Sequence, residues 1–130
     1  LIKITPKKER ARSILEMTKL ISERIKSQDK IKMASLIISD YYEIIKELIT
    51  AVLLIEGYKT LGHKELIEYI KENHKIFSMH EISFLDNLRI IRNRISYEGF
   101  KVETSYLTRN ENLFKLIIGK LNDIVGRELR

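Results

Sequence analysis

The chain has 130 residues, of which 44% are hydrophobic and 32% charged, with a net charge of +6 and no cysteine. That is the size of one domain and the balance of a globular protein, neither disordered nor membrane-embedded. It excludes disulfides, thiolate nucleophiles, iron–sulfur clusters and cysteine zinc sites, and its basic balance is compatible with an RNA or an acidic protein as partner.

Only 5 glycines and 1 proline interrupt the chain. Apolar residues recur at spacings of three or four almost throughout, so the expectation is an all-α single domain over residues 1–130. The N-terminal LIKITPKKERAR has basic residues with no apolar stretch after them, which is not a signal-peptide pattern. The longest apolar stretch, LITAVLLI, is far short of the ~20 residues of a membrane span. The expected setting is therefore cytoplasmic, with no membrane partner.

Thr5-Pro6 gives a start signal, with Thr5 as N-cap and Pro6 at the first helical position. The first helix carries Ile14, Met17, Ile21 and Ile25 on one face and runs to about Ser27. Asp29 can cap a second helix that runs to Glu56 and stops at Gly57, about 40 Å at ~1.5 Å per residue. This helix has two apolar stripes, Ile37-Tyr41-Ile44-Leu48-Val52-Ile55 and Ile38-Tyr42-Ile45-Ile49-Leu53, which suits a spine with neighbours on two sides. Tyr41 and Tyr42 fit packing better than base stacking.

GYKTLGHKELIEYIKENH is a loop and then a short third helix from about His63 to Asn73. Ser78-Met79-His80-Glu81 has capping-box spacing and opens a fourth helix, which passes Arg92 and ends before Gly99. After a break around GFKVETSY, Thr108 to Glu111 has the same spacing and opens a last helix through Phe114, Ile117, Leu121 and Ile124. The predicted architecture is a five-helix up-and-down bundle.

On a wheel of the fourth helix, Phe84, Leu85, Leu88, Ile91 and Ile95 make one apolar face, and Arg92 falls inside it. Arg94 and Asn93 fall on the other side. Asp86 and Arg89 lie near the edge as an i,i+3 pair. A permanent cation on the inward side needs a partner or a use. Arg92 either pairs with Glu43, Glu47 or Glu56 of the second helix, or lines a polar cleft where the fourth helix meets another subunit.

Other chemistry is thin. There is no P-loop, GxGxxG, nucleophile elbow or EF-hand. His63, His74 and His80 have no metal-ligand spacing and fit structural or exposed roles, so no metal and no cofactor are expected. The pairs Glu65/Glu68 and Glu111/Asp123, and the basic PKKERAR, fit solvated faces.

The long YYEIIKELITAVLLIEGY, the following LGHKELIEYI and then LDNLRIIRNRISYEGF make the chain resemble the HEPN family (higher-eukaryote and prokaryote nucleotide-binding domains) from roughly Lys8 to Phe100. Members are helical bundles that dimerise with their two motifs facing a shared cleft. Many are metal-independent ribonucleases, often toxins paired with a minimal nucleotidyltransferase antitoxin, while others bind RNA or nucleotides or act as scaffolds. The family motif is an arginine, a polar residue and, after a few residues, a histidine.

Arg92 matches the arginine and Asn93 the polar residue, but Tyr97 stands where the histidine should be. A phenol with an ordinary pKa of ~10 is a poor general base near neutrality, so the resemblance implies degraded ribonuclease activity. The tyrosine that some family toxins present for adenylylation corresponds to Gly99. The implied catalytic set is Arg92, Asn93 and Tyr97, with Arg89 and Arg94 as phosphate contacts. The implied protein is a homodimer that binds RNA or a nucleotide, a toxin-type subunit with a nucleotidyltransferase-type antitoxin partner. The alternative is a non-catalytic dimerisation scaffold with Arg92 in a structural ion pair.

Overall fold

A computed structural model describes residues 1–130. It contains five helices, α1 (Lys8–Lys26), α2 (Ala34–Glu56), α3 (His63–Asn73), α4 (Met79–Glu98) and α5 (Thr104–Glu128). Two short strands, β1 (Ile2–Lys3) and β2 (Tyr58–Lys59), pair antiparallel. The all-helical expectation holds, and the ribbon is an addition to it. No helix is long and apolar enough to cross a membrane.

Helix α2 is the centre, with all four other helices packed on it. Both of its apolar stripes are buried, which is why it needs two. Helix α1 runs antiparallel to it: the Lys7 amide donates to the Leu54 carbonyl at one end (2.9 Å), and Arg24 bonds Asp40 at the other (2.7 Å). Helix α4 is also antiparallel, with Glu81 at its start bonded to Lys120 of α5 and Arg92 near its end on the Tyr42 ring.

The alternation expected of an up-and-down bundle is broken at α3. The His63 ring lies 6.1 Å from that of Tyr42 near the start of α2, whereas Tyr69 donates to Glu56 at its end (2.6 Å). Helix α3 therefore advances in the same sense as α2. The cause is the connection: Tyr58–Lys59 pairs with the N-terminal strand, and the chain returns along α2 before α3 begins. Helix α5 shares this sense, with Thr104 bonded to Ile31 and Glu111 to Tyr41.

The fourth helix begins as its capping box predicts. The Glu81 amide donates to Ser78 Oγ (3.1 Å), and the Ser78 amide donates to Glu81 Oε1 (2.8 Å). Three other start signals are displaced. Thr5-Pro6 lies outside α1, because the segment is tied to the end of α2 through the Ile4 amide and the Gly57 carbonyl (2.8 Å). Asp29 Oδ1 accepts from the amides of Ile31 and Lys32, but it caps a single turn that precedes α2. Helix α5 starts at Thr104, so Thr108 is interior and bonds back to the Thr104 carbonyl (3.1 Å). Glu111 is drawn away to Lys30 and Tyr41, both at 2.8 Å, and is not a solvated face.

Gly57 ends α2 in the left-handed region at φ +88°, as the sequence predicts. A Cβ there would stand 3.0 Å from the Ile4 carbonyl oxygen, whereas Gly99, at φ +66°, has open space around it. Gly57→Ala is expected to cost about 1–2 kcal/mol for the left-handed backbone plus the displaced N-terminal segment. Gly99→Ala should cost only about 1 kcal/mol. Urea denaturation of the two variants side by side checks this; equal losses would mean that the Ile4 contact yields freely.

Candidate functional site

Arg92 is half-buried on the inward side of α4, as its wheel position predicts. Its guanidinium lies 5.7 Å from the centre of the Tyr42 ring, and its one side-chain hydrogen bond is a long contact to Asn93 Oδ1 (3.4 Å). The carboxylates that could have paired with it are engaged elsewhere. Glu43 and Glu47 turn to Lys46 at 2.9 and 3.4 Å, and Glu56 meets His74 at 3.0 Å. Of the two alternatives for Arg92, the ion pair to Glu43, Glu47 or Glu56 is therefore absent. Asn93, assigned to the opposite side of the wheel, is half-buried and touches Arg92 instead.

Tyr42 joins this arginine to a histidine. Its ring, only 3% exposed, has Arg92 on it and His63 of α3 beside it. Burial raises the Tyr42 phenol to about 12 even with Arg92 and Arg89 near it, so the hydroxyl keeps its proton. Burial lowers the pKa of His63, and the neighbouring cations Lys46 and Arg92 lower it further. A neutral imidazole beside an unpaired guanidinium can exchange a proton while the arginine binds an oxyanion. His63 also walls a cleft of about 280 Å³, with Lys46, Thr50, Leu61 and Leu66 among its lining. Its size is near the lower end of small-molecule sites, ~300–1,000 Å³.

The other motif residues are placed differently. Helix α4 stays regular through Glu98, so Tyr97 is carried away from the Arg92 side and is 80% exposed. Within one chain it does not join Arg92. Arg89 makes the predicted pair with Asp86 (3.1 Å) and lies near enough to Tyr42 to lower its pKa. Arg94 points outward, its guanidinium 3.9 Å from the Phe100 ring centre and 3.9 Å from Glu98. It is held by the end of its own helix and lies apart from the cluster.

His63 has no sequence signal for this role, because the loop returning along α2 delivers it. A second polar cluster lies about 20 Å along α2 from Tyr42, at ~1.5 Å per residue. There Glu56, His74 and Glu128 bring ligand-type atoms within 4.8 Å of one another. Burial and the adjacent Glu56 carboxylate raise the Glu128 carboxyl to about 8. No spacing in the sequence links the three residues; each stands at the end of a different helix. Comparison with known protein families, curated proteins and solved structures finds no match to this chain.

Proposed function

We propose that the protein binds RNA or a nucleotide through phosphate at Arg92, in the manner of a HEPN-like domain. The observation that carries this reading is the unpaired, half-buried Arg92 guanidinium on Tyr42, with carboxylates on the adjacent helix turned to other partners. Arginine offers a planar fork of donors that matches a phosphate, and no carboxylate is bonded to Arg92, although Asp86 is paired with Arg89 beside it. Arg89 supplies a second positive charge, and Asn93 can orient a phosphate oxygen. The cleft beside His63 suits a base or ribose.

In this reading His63 supplies the acid–base function missing at Tyr97, and any strand cleavage runs through it. The toxin-type role, with a nucleotidyltransferase-type protein as antitoxin, belongs to the same proposal. So does a homodimer, supported by the exposed Ile90 and Tyr97 on the outer side of α4.

The test is fluorescence anisotropy with a labelled single-stranded RNA, alongside RNA cleavage over hours with and without EDTA. Arg92→Ala should weaken binding about 10–100-fold, the loss of one charge-assisted contact of ~1.5–3 kcal/mol. Its melting temperature should stay near that of the native protein, because no ion pair is broken. If the protein cleaves RNA, His63→Ala should abolish cleavage with less effect on binding. A variant that melts much earlier, with RNA affinity unchanged, would support the scaffold reading instead.

A further inference from the structure

We propose that Glu56, His74 and Glu128 form a binding site for a divalent transition-metal ion, zinc in the first instance. The site follows from the helix directions. Because α2, α3 and α5 run in the same sense, their C-terminal ends meet at one end of the molecule. Glu56 is the last residue of α2, His74 directly follows α3, and Glu128 is the last residue of α5. Helix C-termini carry partial negative charge of ~0.5 each, so three of them together with two carboxylates create a field that favours a cation.

The donor set suits the ion. One imidazole nitrogen and two carboxylate oxygens are ordinary zinc ligands, and three protein ligands leave a fourth position for water. His74 Nε2 already stands 3.0 Å from Glu56 Oε2, while the three ligand atoms lie within 4.8 Å of one another. Two ligands ~2.1 Å from a tetrahedral zinc ion are ~3.4 Å apart, so an inward rotation of the carboxylates by about 1 Å closes the set.

Two further observations point the same way. Glu128 Oε2 is buried against the Glu56 carboxyl with no lysine, arginine or backbone donor on it, so a proton between the two carboxyls holds the place that a metal ion would take. Neither Glu56 nor Glu128 has a lysine or arginine paired with it, so no protein cation fills the place of the metal. The Tyr69 hydroxyl donates to Glu56 Oε1 at 2.6 Å and would hold that ligand in orientation from outside the first coordination sphere.

The experiment uses the untagged 130-residue chain, stripped with chelator and titrated calorimetrically with zinc chloride, with cobalt(II) absorption as a second readout. One zinc per chain is expected, with a higher melting temperature in its presence. Glu128→Gln, which keeps the shape, should weaken zinc binding at least ~100-fold and remove the thermal shift. His74→Ala should do the same, and His80→Ala should leave both unchanged. Circular dichroism establishes that each variant is folded, and Glu128→Gln alone decides the matter if His74→Ala does not fold. Absence of stoichiometric zinc binding, or binding insensitive to Glu128→Gln, overturns the proposal and leaves a hydrogen-bonded knot of three side chains.

Discussion

Phe114→Ala is expected to lower the unfolding free energy by about 3–5 kcal/mol, a large share of the ~5–15 kcal/mol typical of a domain. Phe114 is fully buried on α5. Its ring stacks on Tyr41 of α2 (4.7 Å between centres, 18° between planes) and tilts against Phe84 of α4 (5.4 Å). One side chain thus joins three helices, and truncation leaves a cavity that none of them can close alone. The stacked pair adds ~0.5–1.5 kcal/mol to the simple burial. Phe114→Leu, which keeps most of the volume, should lose far less. Urea unfolding followed by far-UV circular dichroism measures both, and a loss under about 1.5 kcal/mol for the alanine variant would mean that the helices re-close around the gap.

The second large effect is electrostatic. Glu81 is buried, its side chain 5% exposed, and Lys120 reaches it from α5 with both carboxylate oxygens at 2.8 and 2.9 Å. Burial pushes the Glu81 carboxyl up, but the bonds from Lys120 and from the Ser78 amide outweigh that and hold it below its ordinary value. Lys120→Met removes the partner and leaves a buried carboxylate uncompensated, at a cost of about 3 kcal/mol near pH 7.

The pH dependence has opposite signs in the two proteins. In the native chain the depressed Glu81 contributes stability that is present above the unfolded value of ~4.3 and is lost as pH falls through the lower folded value. In the variant, burial with no cation raises the folded value, so stability declines as pH rises above ~4.3. The gap between native protein and variant should therefore be wide at pH 7 and narrow near pH 4. Denaturation at the two pH values checks this, and a gap independent of pH would assign the loss to packing of the lysine stem.

Some of this structure was legible in the residues alone. The bounds of α3, the capping box at Ser78 and the end of α2 at Gly57 are local facts, set by side chains a few positions apart. The inward position of Arg92 also followed from periodicity within one helix. What failed was whatever depends on distant partners. Thr108-Glu111 has the spacing of a cap, yet Glu111 is worth more to Tyr41 and Lys30 than to its own helix end. His63 and the Glu56–His74–Glu128 cluster depend on the sense in which α3 runs, and that sense is fixed by the pairing of Ile2–Lys3 with Tyr58–Lys59, far apart in the chain. Tyr97 was aligned by motif order, whereas a regular helix turns it away.

The central position of α2 also shapes how the molecule can come apart. Helices α1 and α5 bury their faces mainly on α2, while α3 and α4 pack on each other as well as on it. Opening is then partitioned: α1 can detach as a separate unit, whereas α3 and α4 leave together and break the Phe84–Phe114 and Glu81–Lys120 contacts with α5 as they do. His63 and Arg92 ride on that paired unit while Tyr42 remains on the central helix. A sub-global fluctuation would thus part His63 and Arg92 from the tyrosine ring that joins them, so the cluster is lost whenever that paired unit opens.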